Sequence, residues 1–270
     1  MSFRAQIRKN KQIRHRTFHR SGGNVLFLIL IAVALFAALS YAVTQSSRGG
    51  GNADSETLAL EAARLVQYTS SISVAIQRLM LGSGCSESEI SFHYDSDGDG
   101  TLETNGDDDY YNPNSPVDLS CHIFQANGGG LYYTNDFPAL REHSVLTSGD
   151  FWDTYDFLFI SFNHFEGVGT TGGGASSADL HLILPQLTQE ACEEINNSLG
   201  ITGANFQDSD IALGVNSTDL FDGGYGENYN RAIFDEAVGA DMVGQYVGCM
   251  DELAGTDSAG YHYFHILLAR

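Results

Sequence analysis

From Val25 to Val43 the chain runs for nineteen residues, VLFLILIAVALFAALSYAV, with no charged side chain. Coiled as an α-helix at about 1.5 Å per residue, such a run reaches about 28 Å, the depth of a bilayer's hydrocarbon core. It also divides the chain electrically. Of 13 Lys/Arg in 270 residues, seven (Arg4, Arg8, Lys9, Lys11, Arg14, Arg16 and Arg20) precede the run and no acid does; the other six and all 34 Asp/Glu follow it. The formal net charge of −21 is therefore a +7 leader and a −28 remainder. Cations gathered on one side of an apolar span keep that side cytoplasmic. The sequence thus predicts a basic cytoplasmic leader over 1–23, a transmembrane helix over 24–45 and an exported remainder. The run exceeds the ~7–15 residues of a secretory signal's apolar core, which favours retention over removal at the small residues Ser40-Tyr41-Ala42. So acidic an exported part argues against nucleic acid as a partner, since binding it takes a Lys/Arg footprint.

Residues 46–53 contain Gly49-Gly50-Gly51, each about 1 kcal/mol worse than Ala inside a helix, and read as a Gly-rich hinge. Asp54-Ser55 then offers an N-cap, with Glu56 in the first turn. Leu58, Ala62, Leu65, Thr69, Ile72, Ile76 and Leu79 follow at steps of four and three, which is one face of a helix, with Gly82 as C-cap. Such a face can seam against another subunit or pack on the chain's own head, and three repeats favour the head. Further on, Leu119–Phe124, Leu131–Thr134, Phe157–Phe162, Ala178–Pro185, Ile211–Val215 and Tyr261–Leu268 read as strands between Gly, Asn and Asp turns. Glu190–Leu199 and Tyr229–Val238 read as helices. The expected fold is α+β: a transmembrane helix and an amphipathic helix leading into an antiparallel-sheet head over 54–270.

Residues 95–107, DSDGDGTLETNGD, carry the opening of an EF-hand-type calcium loop. Ca²⁺ takes six to eight oxygens. Asp95, Asp97 and Asp99 supply alternating carboxylates, Gly100 the sharp turn, Thr101 a backbone carbonyl and Leu102 an anchor to the core. The twelfth position holds Gly106 instead of Glu, so Asp107 or Asp108 takes its place. Ile90, Phe92 and Tyr94 alternate ahead of the loop as a strand, not a helix. The expectation is bound calcium as a structural staple.

The four cysteines, Cys85, Cys121, Cys192 and Cys249, form no C-x-x-C. An even count in an exported segment predicts two disulfides, with three connectivities open. The sequential pairing, Cys85–Cys121 and Cys192–Cys249, is favoured. It closes the loop that carries the acidic motif and pins a helix to the C-terminal sheet.

A basic leader, then Ser21-Gly22-Gly23, then at once an apolar helix resembles the prepilin signal of type IV pilins and type II secretion pseudopilins. The resemblance implies cleavage by a prepilin peptidase after Gly22 or Gly23, with the helix kept as membrane anchor and filament core. In that family the fifth mature residue is usually Glu. Counted from Asn24 or Gly23, the position here holds Leu28 or Phe27, which implies a minor or tip-located subunit. The strand over 178–185, the spacing from Pro185 to Cys192, the helix after it and the late Cys249 look like the disulfide-bounded region of type IVb pilins. The implied partners are the membrane, the peptidase and other pilin or pseudopilin subunits. The implied place is the bacterial inner membrane, with the head periplasmic or extracellular in a filament that serves assembly, adhesion or secretion.

No enzyme is expected. Gly128–Gly130 and Gly172–Gly174 lack a following Lys-Ser/Thr, so no phosphate loop is formed, and no G-x-S-x-G elbow occurs. His262 and His265, three apart in a strand, point to opposite faces and make no metal pair. Asp150, Trp152, Asp153, Tyr155 and Asp156 read as a polar face around a buried Trp. The alternative to a filament subunit is a single-pass anchored envelope protein that binds a ligand without assembling; an exported hydrolase is a third reading.

Overall fold

Steps of three and four along 58–79 put apolar side chains on one side of a helix, and that side builds the head. In this computed structural model, residues 25–46, 50–95, 99–102, 110–141, 157–170, 178–201, 207–208, 220–225, 232–233, 242–252 and 260–270 are described. The chain divides into two compact units, Met1–Asn52 and Ala53–Arg270.

In the first unit, α1 spans Val25–Ser46, 22 residues without a charge. Its side chains are described over 27–41, all of them exposed. Those 15 side chains cover about 22 Å, short of a bilayer core, and among the described residues no helix is long and apolar enough to cross a membrane; the transmembrane helix expected over 24–45 is thus not shown. Helix α2 spans Gly50–Arg78. The expected hinge is thus helical on both flanks, and of residues 46–53 only 47–49 lie outside the description. The expected N-cap at Asp54-Ser55 sits inside the helix instead. Two glycines cost about 2 kcal/mol of propensity at most, too little to stop a helix of this length.

Ala62, Leu65, Thr69, Ile72, Ile76 and Leu79 are buried along α2, together with Ala75. The stripe packs within its own head, into a core cluster with Phe92, Phe157, Phe159, Leu182 and Tyr263. The helix ends two residues later than expected. A π-turn, Leu79–Ser83, leads to Gly84 in the left-handed region (φ 76°), whose N–H donates to Leu79 O. Gly84 rather than Gly82 is the residue whose backbone needs glycine there.

The other elements are β1 (Leu158–Ile160), β2 (His164–Phe165), β3 (Leu180–Leu187), α3 (Gln189–Ser198), β4 (Gln207–Asp208), β5 (Ala232–Ile233), β6 (Val247–Glu252) and β7 (Gly260–Leu268). Among the described residues the main sheet has the order β1-β3-β7-β6-β4. Its first four strands are antiparallel, while β4 joins β6 in parallel, Gln207 opposite Asp251. Helices α2 and α3 bury their apolar faces on one side of it. The other side holds a smaller cluster of Leu158, Ile160, Phe165, Ile183, Met250, Phe264 and Ile266. A sheet buried on both faces explains why β3 is buried at all eight positions and shows no alternation.

Pro185 does not stop β3. The strand continues to Leu187, where register with β7 shifts between Leu184 and Leu187 and Gln186 takes φ 61°. A bulge is one of the few places where a strand tolerates proline. The expected strands at 119–124 and 131–134 do not form, and His122 makes only an isolated bridge to Ser91. Nor does Ile90–Tyr94 alternate, for Ile90, Ser91, Phe92, His93 and Tyr94 are all buried. Aromatic stacking holds these stretches instead: Phe92 lies 3.9 Å from Phe159 and Tyr94 3.7 Å from Tyr133, ring centre to ring centre. The helix expected over 229–238 is strand at 232–233, which pairs with β2. The expected strand 211–215 and the aromatic-acidic stretch 150–156 lie outside the described residues.

Candidate functional site

The first disulfide, Cys85–Cys121, ties the end of the α2 turn to the 119–124 stretch. The second, Cys192–Cys249, ties α3 to β6. Both follow the favoured pairing. Around the second bond, Asn196 of α3 donates from Nδ2 to Cys249 O and accepts from Cys249 N, both at 2.8 Å, so helix and strand are joined covalently and by a two-way hydrogen bond.

The first disulfide closes the segment that holds the acidic loop. Asp95 is half-buried; Asp99 and Thr101 are exposed. Asp95 Oδ2 accepts from Gly100 N at 2.8 Å, and Gly100 has φ 90°. Asp99 Oδ1 accepts from Thr101 N at 2.8 Å and from Thr101 Oγ1 at 2.7 Å. Asp95 and Gly100 stand at the first and sixth places of an EF-hand loop, where a carboxylate and a tight glycine turn belong. Leu102, the expected anchor, is half-buried. Asp97 and Asp107, the other expected ligands, lie outside the described residues, as do the processing residues Gly22 and Gly23. Among the described residues no group of three or more His, Cys, Asp or Glu is placed to hold a metal.

A groove of about 650 Å³ lies between the start of α2 and the outer face of α3. Asp54, Glu190, Glu193 and Glu194 line it beside Leu58 and Asn197. Two of them, Glu190 and Glu193, also act on the sheet. The Tyr261 hydroxyl is pushed above its ordinary pKa, chiefly by burial and further by Asp251, Glu193 and Glu190. The chain matches no protein-family model, no curated protein and no solved structure.

Reading the sequence missed three polar sites, two of them buried. Asp179 accepts from Phe165 N and Arg270 N, both at 2.9 Å, and burial raises its pKa against those bonds. Arg270 is further held by Glu87 at 3.1 Å, and its guanidinium lies 3.9 Å from the Tyr225 ring centre. The third site joins α2 to β7. Thr69 Oγ1 lies 2.6 Å from Tyr263 Oη and 2.8 Å from His265 Nδ1. Thr69 sat in plain view as the polar member of an apolar helical stripe. His262 and His265 do point to opposite faces, since His265 meets α2 while Phe264 and Ile266, on the face of His262, belong to the smaller cluster.

Proposed function

We propose that this chain is a pilin-like or pseudopilin-like subunit of a type IV pilus or type II secretion filament, in a minor or tip position. It has no catalytic role; it acts in assembly or adhesion. The observation that carries the reading is the succession of a basic leader, the uncharged helix α1 and the long helix α2 laid on an antiparallel sheet. The second disulfide, between a helix after Pro185 and a late strand, supports it. In this reading the uncharged sequence run from Val25 to Val43, about 28 Å long as a helix at 1.5 Å per residue, is the membrane anchor and the acidic head is exported.

N-terminal mass analysis of the mature chain is the test. Cleavage after Gly22 or Gly23, with a methylated new terminus, is the expected result. Cleavage after Ala42 makes the protein a released one, and an intact start makes it a plain anchored protein; either defeats the filament reading. The groove beside Asp54 and Glu193 is the observation that favours the alternative, an anchored envelope protein that binds a ligand.

Calcium belongs to the same proposal. The Asp95–Gly100 and Asp99–Thr101 bonds fit the loop's use as a cation cradle, with Asp97 and Asp107 completing it. Bound Ca²⁺ would neutralise like charges and fix the segment between Cys85 and Cys121. A fall in Tm under chelator, absent in an Asp95→Ala/Asp99→Ala variant, is expected; an unchanged Tm refutes the cation.

A further inference from the structure

Two histidines lie side by side near the first disulfide and take no part in the sites above. His122 follows Cys121 in the chain and is bridged to Ser91, two residues before His93. Both backbones are tied down. His93 N donates to Ser91 Oγ at 3.2 Å, His122 N donates to Leu119 O at 3.2 Å, and the His122 carbonyl accepts from Gly129 N at 2.8 Å. His93 and His122 are 2% and 5% exposed, and their ring centres are 6.0 Å apart. His122 Nδ1 is buried with no hydrogen-bond partner among the described residues. In native proteins a buried ring nitrogen is normally met by a polar group, an ordered water or an ion.

We propose that His93 and His122 together bind one borderline transition-metal dication, Zn²⁺ or Cu²⁺, with His122 Nδ1 as one of the two ligating atoms. Imidazole suits these ions, and at pH 7 it is mostly in the neutral form that ligates. Imidazoles that share an ion, each nitrogen about 2.0–2.1 Å from it, have ring centres about 5–6 Å apart. The observed separation falls in that range, so the two rings need little movement to share an ion. His93 gives one nitrogen to the ion and keeps the other for a partner, as ligating histidines do. Asp118, which is exposed, acts on the His122 ring through its charge and favours a cation there. No third His, Cys, Asp or Glu joins the pair among the described residues, so water takes the remaining positions. Tyr111 meets His93 edge-on at 5.7 Å and is 41% exposed, which puts solvent one side chain away. Two ring nitrogens do not suit Ca²⁺, which takes oxygen ligands, so this site is separate from the acidic loop.

The site lies within the head and does not depend on the membrane or filament reading. Calorimetric titration of the full-length chain in mild detergent with Zn²⁺ tests it, together with the EPR spectrum of added Cu²⁺. One tightly bound Zn²⁺ per chain and Cu²⁺ coupled to two imidazole nitrogens are expected. His93→Gln and His122→Gln should each weaken Zn²⁺ binding by more than about tenfold, the least that even a ligand's hydrogen-bond partner is worth. The Asp95→Ala/Asp99→Ala variant should keep it, and a loss there as large as in the histidine variants overturns the site. So does no saturable binding, as for a nitrogen met by water only, or binding undiminished in the two histidine variants. Should those variants fail to fold, NMR of the wild type decides. Zn²⁺ that shifts the His93 and His122 ring signals together, ahead of the other histidines, supports the site; Zn²⁺ that leaves either unmoved refutes it.

Discussion

Helix α1 exposes each side chain described along it, Phe36 at 72%, and contains no charge; helix α2 buries a single stripe and turns Glu, Arg, Gln and Ser outward. Both are regular, and both are rich in Leu and Ala. What separates them is angular distribution. An apolar surface that runs all around a helix has no inner face to hide and needs an apolar medium or a ring of partners. A stripe every three to four residues needs one surface, and the sheet supplies it. The solvent of each helix is thus written in its periodicity, not in its propensity.

This contrast can be broken by experiment. The largest effect is expected where α2 is anchored covalently. Replacing Cys85 and Cys121 by Ser releases a constraint spanning 36 residues, worth about 4 kcal/mol in the chain-entropy model. Urea unfolding of the head should show that loss, while the helicity of α1 stays unchanged. Next, Leu65→Ala should cost the head about 3 kcal/mol as a buried cavity, and Leu35→Ala should cost it nothing measurable. If Leu35→Ala destabilises the head equally, the contrast between the helices fails.

The pH response should divide the two regions as well. Burial holds the His181 imidazole at about 4, below its ordinary 6.5, against a weaker upward pull from Asp179 O at 3.0 Å. The folded head therefore binds fewer protons than the unfolded chain between those values. Its stability is whole above about pH 6.5 and falls as pH drops towards 4, by about 2.5 kcal/mol at pH 4.5 from this group. Urea midpoints at pH 7 and 4.5 should show the loss, and His181→Asn should remove this group's share of the difference, while His122 and His265, held down chiefly by burial as well, keep theirs. Helix α1 contains no Asp, Glu, His, Lys or Arg and should keep its circular dichroism signal throughout. The smallest effect belongs to the end of α2. Gly84→Ala has free space around the new methyl but a left-handed backbone, and should cost about 1 kcal/mol in the same urea assay.

Much of this architecture was legible because it is local. The stripe at 58–79, the strand at 261–268 and the helix at 190–199 each rest on spacing within a short segment, and the disulfide pairing follows the order of the four cysteines. What escaped reading rests on partners far away in sequence. Phe92 and Tyr94 look like an alternating strand, yet they are held by Phe159 and Tyr133 from later segments. Pro185 reads as a stop unless the bulge against β7 is known. β6 went unseen because Gly248, Cys249 and Asp251 carry little β preference, and its strand character comes from six rungs with β7. At the candidate sites the same division holds. Asp95, Asp99 and Gly100 announce a turn by themselves, whereas Thr69 and His265 are 196 positions apart and meet only when helix and sheet close.

The corner after Cys121 has a consequence for ancestry. A methyl on Gly128 would collide with the His122 carbonyl, and one on Gly129 with that of Ile123. The Gly129 carbonyl in turn accepts from Arg78 at the end of α2. No side chain fits at either place unless the corner itself is rebuilt, so descent can change the surface freely but not Cys121-x₆-Gly-Gly. That short spacing, rather than overall similarity, is the mark by which remote kin of this chain are to be sought.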